Sequence, residues 1–507
     1  MTSKIRRAVC AVVFISILAG FFYCATYVVS LKKSRQKLTR FFEASEQTDV
    51  LFFGVSHVEY GIYPLELWQD HGMTAYNMGC AGNTIPTIYW VMRNALDYTD
   101  PKVVVMDCTR SDVNYKGVSD LALETFDLFP ISRTKYEMAM DLEDDWTVRA
   151  GLLFPIVKYH SRWNELTKDD FGYYKPYMDN GAYHDTIEEM FVSEPELHEE
   201  TSEDAKTEPA DLSEYYIRKS IEMCQERGIT ILLTNLPFPA KADRQMYANA
   251  IKDIADEYGV DYLDFSHIPG VVDYTVDMKD LRGHLNEAGA RKTTEYIGDF
   301  INENYHLEDH RNDPAYVNWA EYWDQYQAYK TGRIVQQPEL DVYLSQLADW
   351  NYSSMIYVRE DSPVLQDERM LKLLRNTLRH RADVSEKRAN EAYTISSDIV
   401  PKDTTGGVLF VTDNPSGLFK AYTPTKEGVS IELDGRKAEF SLKENGKASL
   451  TVDGVEQDIL EDTLDAKENP WDVKTYVIDS ANGDYVHMGE FTVEQPEKPK
   501  PLTAVKY

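Results

Sequence analysis

Residues 50–57, Val-Leu-Phe-Phe-Gly-Val-Ser-His, constrain the fold of this 507-residue chain more than any other stretch. Four consecutive apolar residues before a glycine suit a strand buried on both faces, which a parallel sheet requires. Pro64 opens a helical pattern just beyond, carried by Leu65, Leu67 and Trp68. A buried strand that ends in glycine and runs into a helix is the edge of an α/β layer, and open α/β sheets bind ligands at the carboxyl ends of their strands. Ser56 falls at that edge, either as a helix cap or as a nucleophile.

The same rhythm continues. Residues 74–79 read as a second strand. Thr84–Tyr98 reads as a helix with Ile85, Ile88, Tyr89, Met92 and Leu96 on one face, and Val103–Met106 as a third strand. After an interruption come a helix over Asp211–Arg227 stopped by Gly228, a strand over Ile229–Leu233, a helix over Ala242–Tyr258 stopped by Gly259, a strand over Val260–Phe265 and a closing helix over Glu287–Asn302. Five strands alternating with helices predict an α/β domain over residues 45–305, a flavodoxin-like three-layer sandwich around a five-stranded parallel sheet.

The interruption, residues 111–210, reads as a solvated insertion, strongly acidic over 188–214. Its middle, Phe154 to Trp163, mixes aromatic and cationic side chains that could stack on a sugar ring. His160, Arg162 and Trp163 are its candidates to face substrate, as is His57 beside Ser56, although His57 also reads as a packing neighbour. Residues 306–349 read as a helical linker. Residues 350–495 read as a smaller β-rich (α+β) domain with Asp434-Gly435, Asn445-Gly446 and Asp453-Gly454 as hairpin turns, and residues 496–507 as a loose tail.

A formal net charge of −32 disfavours nucleic acid and suits a neutral polymer such as a glycan. Five scattered cysteines without C-x-x-C spacing provide neither a disulfide framework nor a zinc site, and no metal or other cofactor is expected. Residues 1–40 read as a single-pass transmembrane anchor, because the run from Ala8 to Leu31 is long enough to cross a bilayer. Basic residues lie on both sides of it, so the positive-inside rule does not choose cleanly, although a bare count of charges favours the main body inside.

A serine nucleophile needs a base and an acid to orient that base. The loop after the fifth strand carries Asp280-Leu-Arg-Gly-His284, on the same sheet edge as Ser56. His284 is the candidate base. Its acid is Asp280, with Asp277 or a main-chain carbonyl as alternatives. The turn Asn77-Met-Gly79-Cys-Ala-Gly82-Asn83 offers Gly79 and Asn83 as oxyanion donors, beside the Ser56 N–H.

Gly54-Val-Ser56-His, the Gly79–Asn83 turn and Asp280…His284-Leu-Asn-Glu-Ala-Gly289 together resemble the SGNH/GDSL hydrolase superfamily over roughly residues 45–305. Within it the chain is most similar to the membrane-anchored branch of D-alanyl transfer proteins and polysaccharide O-acetyltransferases. The resemblance implies Ser56 as nucleophile and His284 as base. It also implies an extracytoplasmic body on the cell membrane, a cell-surface glycan or acylated polymer as substrate, and a multi-spanning membrane-bound O-acyltransferase as partner. Three departures stand out: Val55 replaces the superfamily's Asp before the serine, three residues rather than two separate Asp280 from His284, and Cys108-Thr-Arg-Ser-Asp112 follows the third strand where an Asn is usual. The expected activity is serine esterase or O-acyltransferase. The alternative is a catalytically inactive SGNH-like envelope scaffold.

Overall fold

The computed structural model describes residues 3–30, 41–42, 44–127, 129–171, 201–280, 283–378, 399–402, 407–424, 428–433, 435–442, 448–457, 473–480, 483 and 485–493. The basic cluster after the anchor, the acidic run up to residue 200, Asp434 of the Asp434-Gly435 turn, the Asn445-Gly446 turn and the tail lie outside them. The chain divides into two compact units, residues 1–186, 197–268 and 297–323 in the first and residues 187–196, 269–296 and 324–507 in the second.

The first unit begins with α1 (Ser3–Val29), which is long and apolar enough to cross a membrane. The parallel sheet starts at β1 (Val50–Phe53). Two helices follow, α2 (Ser56–Gly61) and α3 (Pro64–His71), then β2 (Ala75–Asn77), α4 (Ile85–Ala95) and β3 (Val103–Asp107). Gly72 stops α3 in the left-handed conformation, and Thr84 with Thr87 forms a reciprocal capping box that starts α4.

The described part of the insertion carries more regular structure than its composition suggests. Helices α5 (Asp120–Asp127), α6 (Arg133–Leu142), α7 (Trp146–Leu153), α8 (Pro155–Tyr159) and α9 (Lys168–Phe171) occupy it, with a 310 turn over His160–Asn164. Ala122, Phe126, Phe129, Met138, Ala139, Leu142 and Leu152 join the main core, which gives this segment an apolar face to bury.

The layer resumes with α10 (Asp211–Arg227), β4 (Thr230–Asn235), α11 (Ala242–Tyr258) and β5 (Asp261–Asp264). The strand order is β2-β1-β3-β4-β5 with every pair parallel, as expected for a flavodoxin-like layer. β1 is buried at all four residues and β3 at all five, which explains their unbroken apolar sequences.

Two helices run on from one unit into the other, α12 (Glu287–Tyr305) and α13 (Val317–Gln336). The second unit continues with α14 (Leu340–Gln346), β6 (Tyr352–Val358) and α15 (Glu368–Asn376). β7 (Val408–Asp413), β8 (Leu418–Tyr422), β9 (Val429–Leu433), β10 (Arg436–Leu442), β11 (Ala448–Val452), β12 (Val455–Gln457), β13 (Val473–Asp479) and β14 (Tyr485–Phe491) follow. They form two antiparallel sheets, β14-β13-β6-β7-β8 and β12-β11-β10-β9. Alternation along β6 serves two cores: Tyr352, Ile356 and Val358 pack with α14 and α15, while Met355 and Tyr357 pack against Ile431, Phe440 and Leu450 of the other sheet. Positive φ at both Asp453 and Gly454 makes the turn between β11 and β12.

Candidate active site

In the first unit, the carboxyl edge of β1 is closed tightly. A Cβ on Gly54 would stand 2.2 Å from Val58 Cγ2 and 2.8 Å from Asp107 Cβ, so only glycine fits there. The Gly54 carbonyl accepts hydrogen bonds from the Cys80 N–H (3.1 Å) and from Asn83 Nδ2 (3.1 Å). Val55 is the extended N-cap and Ser56 the first residue of α2, a short helix that the sequence pattern did not reveal. The Val55 carbonyl accepts from the N–H groups of Val58 and Glu59 and so fixes this first turn.

The Gly79–Asn83 turn is held against α2. Asn77 Nδ2 donates to the carbonyls of Val58 (2.7 Å) and Ile62 (2.9 Å), and Asn77 Oδ1 accepts from the Gly79 N–H (2.8 Å). The Gly79 N–H, an oxyanion donor by sequence, is therefore engaged by Asn77. What Gly79 contributes is close approach, since a Cβ there would stand 2.5 Å from the Glu59 backbone nitrogen. The Ala81 N–H donates to Glu59 Oε2 (2.7 Å), and Asn83 Oδ1 accepts from Thr87 Oγ1 (3.2 Å). The His57 ring is half-buried, with its centroid 5.2 Å from that of Phe238.

Asp107, at the end of β3, is fully buried beside Gly54. Its Oδ1 accepts from the N–H and hydroxyl of Thr109 and from the Leu236 N–H, while Oδ2 is buried without a hydrogen-bond partner among the described residues. Burial pushes its carboxyl up to about 6, against these hydrogen bonds, which act to lower it. The sequence signal for Asp107 was present, an acid closing an otherwise apolar strand. Cys80, Cys108 and Cys224 are buried thiols, and burial raises the Cys108 thiol further from reactivity.

Asp280 and His284 belong to the second unit. His284 Nδ1 lies 2.7 Å from Asp280 Oδ2, and the His284 N–H donates to Asp280 Oδ1 (3.3 Å). A hydrogen bond from Nδ1–H to a carboxylate leaves Nε2 as the basic nitrogen. Asp277 has another task. It is fully buried, and its carboxylate accepts from Lys292 Nζ (2.7 Å), Asn376 Nδ2 (3.0 Å) and the Asp273 N–H (2.8 Å). Between the two acids left open by sequence, Asp280 is the one on the imidazole, and Asp277 clamps the loop.

The rest of the loop is fastened in the same way. Asn286 donates through its N–H to the Asp277 carbonyl (2.8 Å) and through Nδ2 to the Val276 carbonyl (2.6 Å), and its Oδ1 accepts from the Gly289 N–H (3.1 Å). Gly289 is obligatory, because a Cβ would stand 2.6 Å from the Asp277 carbonyl oxygen. From α15, Lys372 Nζ reaches Thr275 Oγ1 (3.0 Å) and Asp273 Oδ2 (3.4 Å). The helix of the β-rich unit thus grips the loop that carries His284. No sequence signal marks Lys372 or Asn376 for this role, about a hundred residues downstream.

His160, Arg162 and Trp163 all lie on the 310 turn that follows α8, and both elements pack on α1. Arg162 donates to the Val29 carbonyl and to Asp170 Oδ1, and His160 Nδ1 donates to the Val157 carbonyl (2.7 Å). Among the described residues no group of three or more His, Cys, Asp or Glu side chains is placed to hold a metal ion.

No family model matches the chain, and no curated protein matches it. Solved structures that match include a protein described as an acylhydrolase from Bacteroides fragilis, at 14% identity and a TM-score of 0.28 over 54% of this chain and 99% of that one. A GDSL-like lipase from Bacteroides thetaiotaomicron matches at 12% identity and a TM-score of 0.26, over 53% and 98% of the two chains. A catalytic mutant of Axe2, an acetylxylan esterase from Geobacillus stearothermophilus, matches at 12% and 0.25, again over 53% and 98%. Likeness at these scores carries no argument about activity, and the strand order of the sheet stands by itself.

Proposed function

We propose that this chain is a membrane-anchored serine esterase or O-acyltransferase, with Ser56 as nucleophile, His284 as general base and Asp280 as the acid that orients it. The observation that carries the reading is the 2.7 Å pairing of His284 Nδ1 with Asp280 Oδ2, which leaves Nε2 to take and return a proton. Ser56 supports it by its place in the first turn beyond the carboxyl end of β1.

In this reading Ser56 Oγ attacks the acyl carbonyl while His284 Nε2 accepts the hydroxyl proton. The tetrahedral oxyanion is met by the Ser56 N–H and by the second hydrogen of Asn83 Nδ2. Collapse expels the alcohol, which takes the proton back from His284, and leaves an acyl-serine. Water or a sugar hydroxyl, deprotonated by His284, then releases the acyl group. The net charge of −32 favours a neutral acylated polysaccharide over a polyanion. α1 serves as a single-pass anchor with the body outside the cytoplasm. In the transfer direction a multi-spanning membrane partner supplies the acyl group, as the resemblance to the anchored transferases implies.

A fluorophosphonate probe on the full chain in detergent tests the chemistry directly. Labelling is expected in the wild type, absent in Ser56→Ala and strongly slowed in His284→Ala. Equal labelling of wild type and Ser56→Ala would remove Ser56 from the mechanism. A folded wild type that never labels would favour the inactive scaffold.

A further inference from the structure

Residues 4–24 of α1 are all exposed, residues 25–28 are half-buried, and Val29 and Ser30 are buried. Among the described residues the helix therefore meets the folded body only at its last turns. At about 1.5 Å per residue, the 21 exposed residues measure about 32 Å, close to the roughly 30 Å hydrocarbon core of a bilayer.

The surface that receives the end of α1 consists of α8, the 310 turn and α9. Arg162 pins the junction by donating to the Val29 carbonyl while its other nitrogen holds Asp170. These receiving elements carry Phe154, Val157, Trp163 and Phe171 as exposed side chains, and Trp146 is exposed on α7, which packs on α8. An apolar set like this would ordinarily be buried, and its aromatic character matches the belts that sit at membrane–water interfaces.

We propose that this α7–α9 platform is a membrane-interfacial foot, whose occupant is the lipid of the same bilayer leaflet from which α1 emerges. The proposal rests on the anchor reading, because it is the exit of α1 from the bilayer that brings these side chains to the headgroup level. Continuity with the exposed length of α1 selects lipid as the occupant: the apolar surface begins where the helix stops being exposed. Trp163 and Phe154 then serve as interfacial anchors rather than as a sugar-stacking platform, and Arg162 couples the anchor to the body. The foot fixes the body against the membrane surface instead of letting it swing on a flexible stalk.

The test uses the eight tryptophans of the chain, none of which lies in α1. The full chain is reconstituted into vesicles of phosphatidylcholine brominated near the carbonyl end of the acyl chain, and emission is compared with unbrominated vesicles. Trp146 and Trp163 are 67% and 71% exposed, so Phe can replace either without disturbing the core. Quenching is expected in the wild type, and the double substitution Trp146→Phe with Trp163→Phe is expected to remove most of it. Incorporation into vesicles without quenching, or quenching that survives the double substitution, overturns the foot while leaving the anchor intact. Absence of quenching in these partner-free vesicles is also the result expected if a protein covers the patch. Failure to float with vesicles at all overturns the anchor, and the foot with it.

Discussion

Replacing Asp107 by Asn removes a buried carboxyl whose protonation the fold controls. Burial raises this group from its ordinary 3.8 to about 6. A raised acid contributes its full stability below the unfolded value, and the contribution is lost as pH rises through the folded value. Here the window runs from about 3.8 to about 6. At roughly 1.4 kcal/mol per tenfold change in proton affinity, the gap is worth about 3 kcal/mol. The Asn side chain keeps an oxygen acceptor for the Thr109 and Leu236 donors, and places an amide where Oδ2 has no hydrogen-bond partner among the described residues. That last cost, on the order of 1–3 kcal/mol, does not depend on pH. The stability of wild type minus that of Asp107→Asn should therefore fall by about 2.4 kcal/mol between pH 4 and pH 7.5, the rest of the loss lying below pH 4. Urea unfolding of the full chain in detergent, run on both proteins across this range, measures the difference. A constant difference would show that Asp107 is not held neutral by its surroundings, and would refute the reasoning from burial.

Gly54→Ala should destabilise the first unit by about 1–3 kcal/mol and slow fluorophosphonate labelling, because the new methyl displaces Val58 and Asp107 beside Ser56; unchanged unfolding and labelling would contradict the close approach seen there. The two acids of the His284 loop should separate by assay. Asp280→Asn is expected to slow labelling by about a hundredfold or more with little change in stability, since it leaves His284 without its carboxylate. Asp277→Asn should instead lower the melting temperature of the second unit by stranding Lys292, and the reverse pattern would exchange their roles.

Much of the architecture is legible in the sequence. Helices over Asp211–Arg227 and Ala242–Tyr258 match residue for residue, because Gly228 and Gly259 end them in a conformation only glycine adopts cheaply. β13 fits the β-rich expectation for residues 350–495 through its β-branched and aromatic Val473, Thr475, Tyr476, Val477 and Ile478, and is buried at six of its seven residues. β8, β12 and β14 leave little trace in the sequence, since each is short or alternates exposed with partly buried residues. α2 escaped because its six residues give too little helical period to recognise. The helices of the insertion, none longer than ten residues, are too short for a helical period to stand out from the aromatic and charged residues around them.

The site divides along the same line. Sequence by itself brought out Ser56 after β1, the Gly79–Asn83 turn, and a loop with His284 and two candidate acids, because glycines, strand ends and helix starts are local properties of the chain. Only the tertiary structure decided which acid meets the imidazole, since Lys292 and Asn376 claim Asp277 and leave Asp280 for His284. It alone showed that Asn77 engages the Gly79 N–H and that Arg162 is tied to the end of α1. Chemically equivalent groups a few residues apart are told apart by partners 15 and 99 residues away, and side-chain spacing along a chain carries no record of those partners.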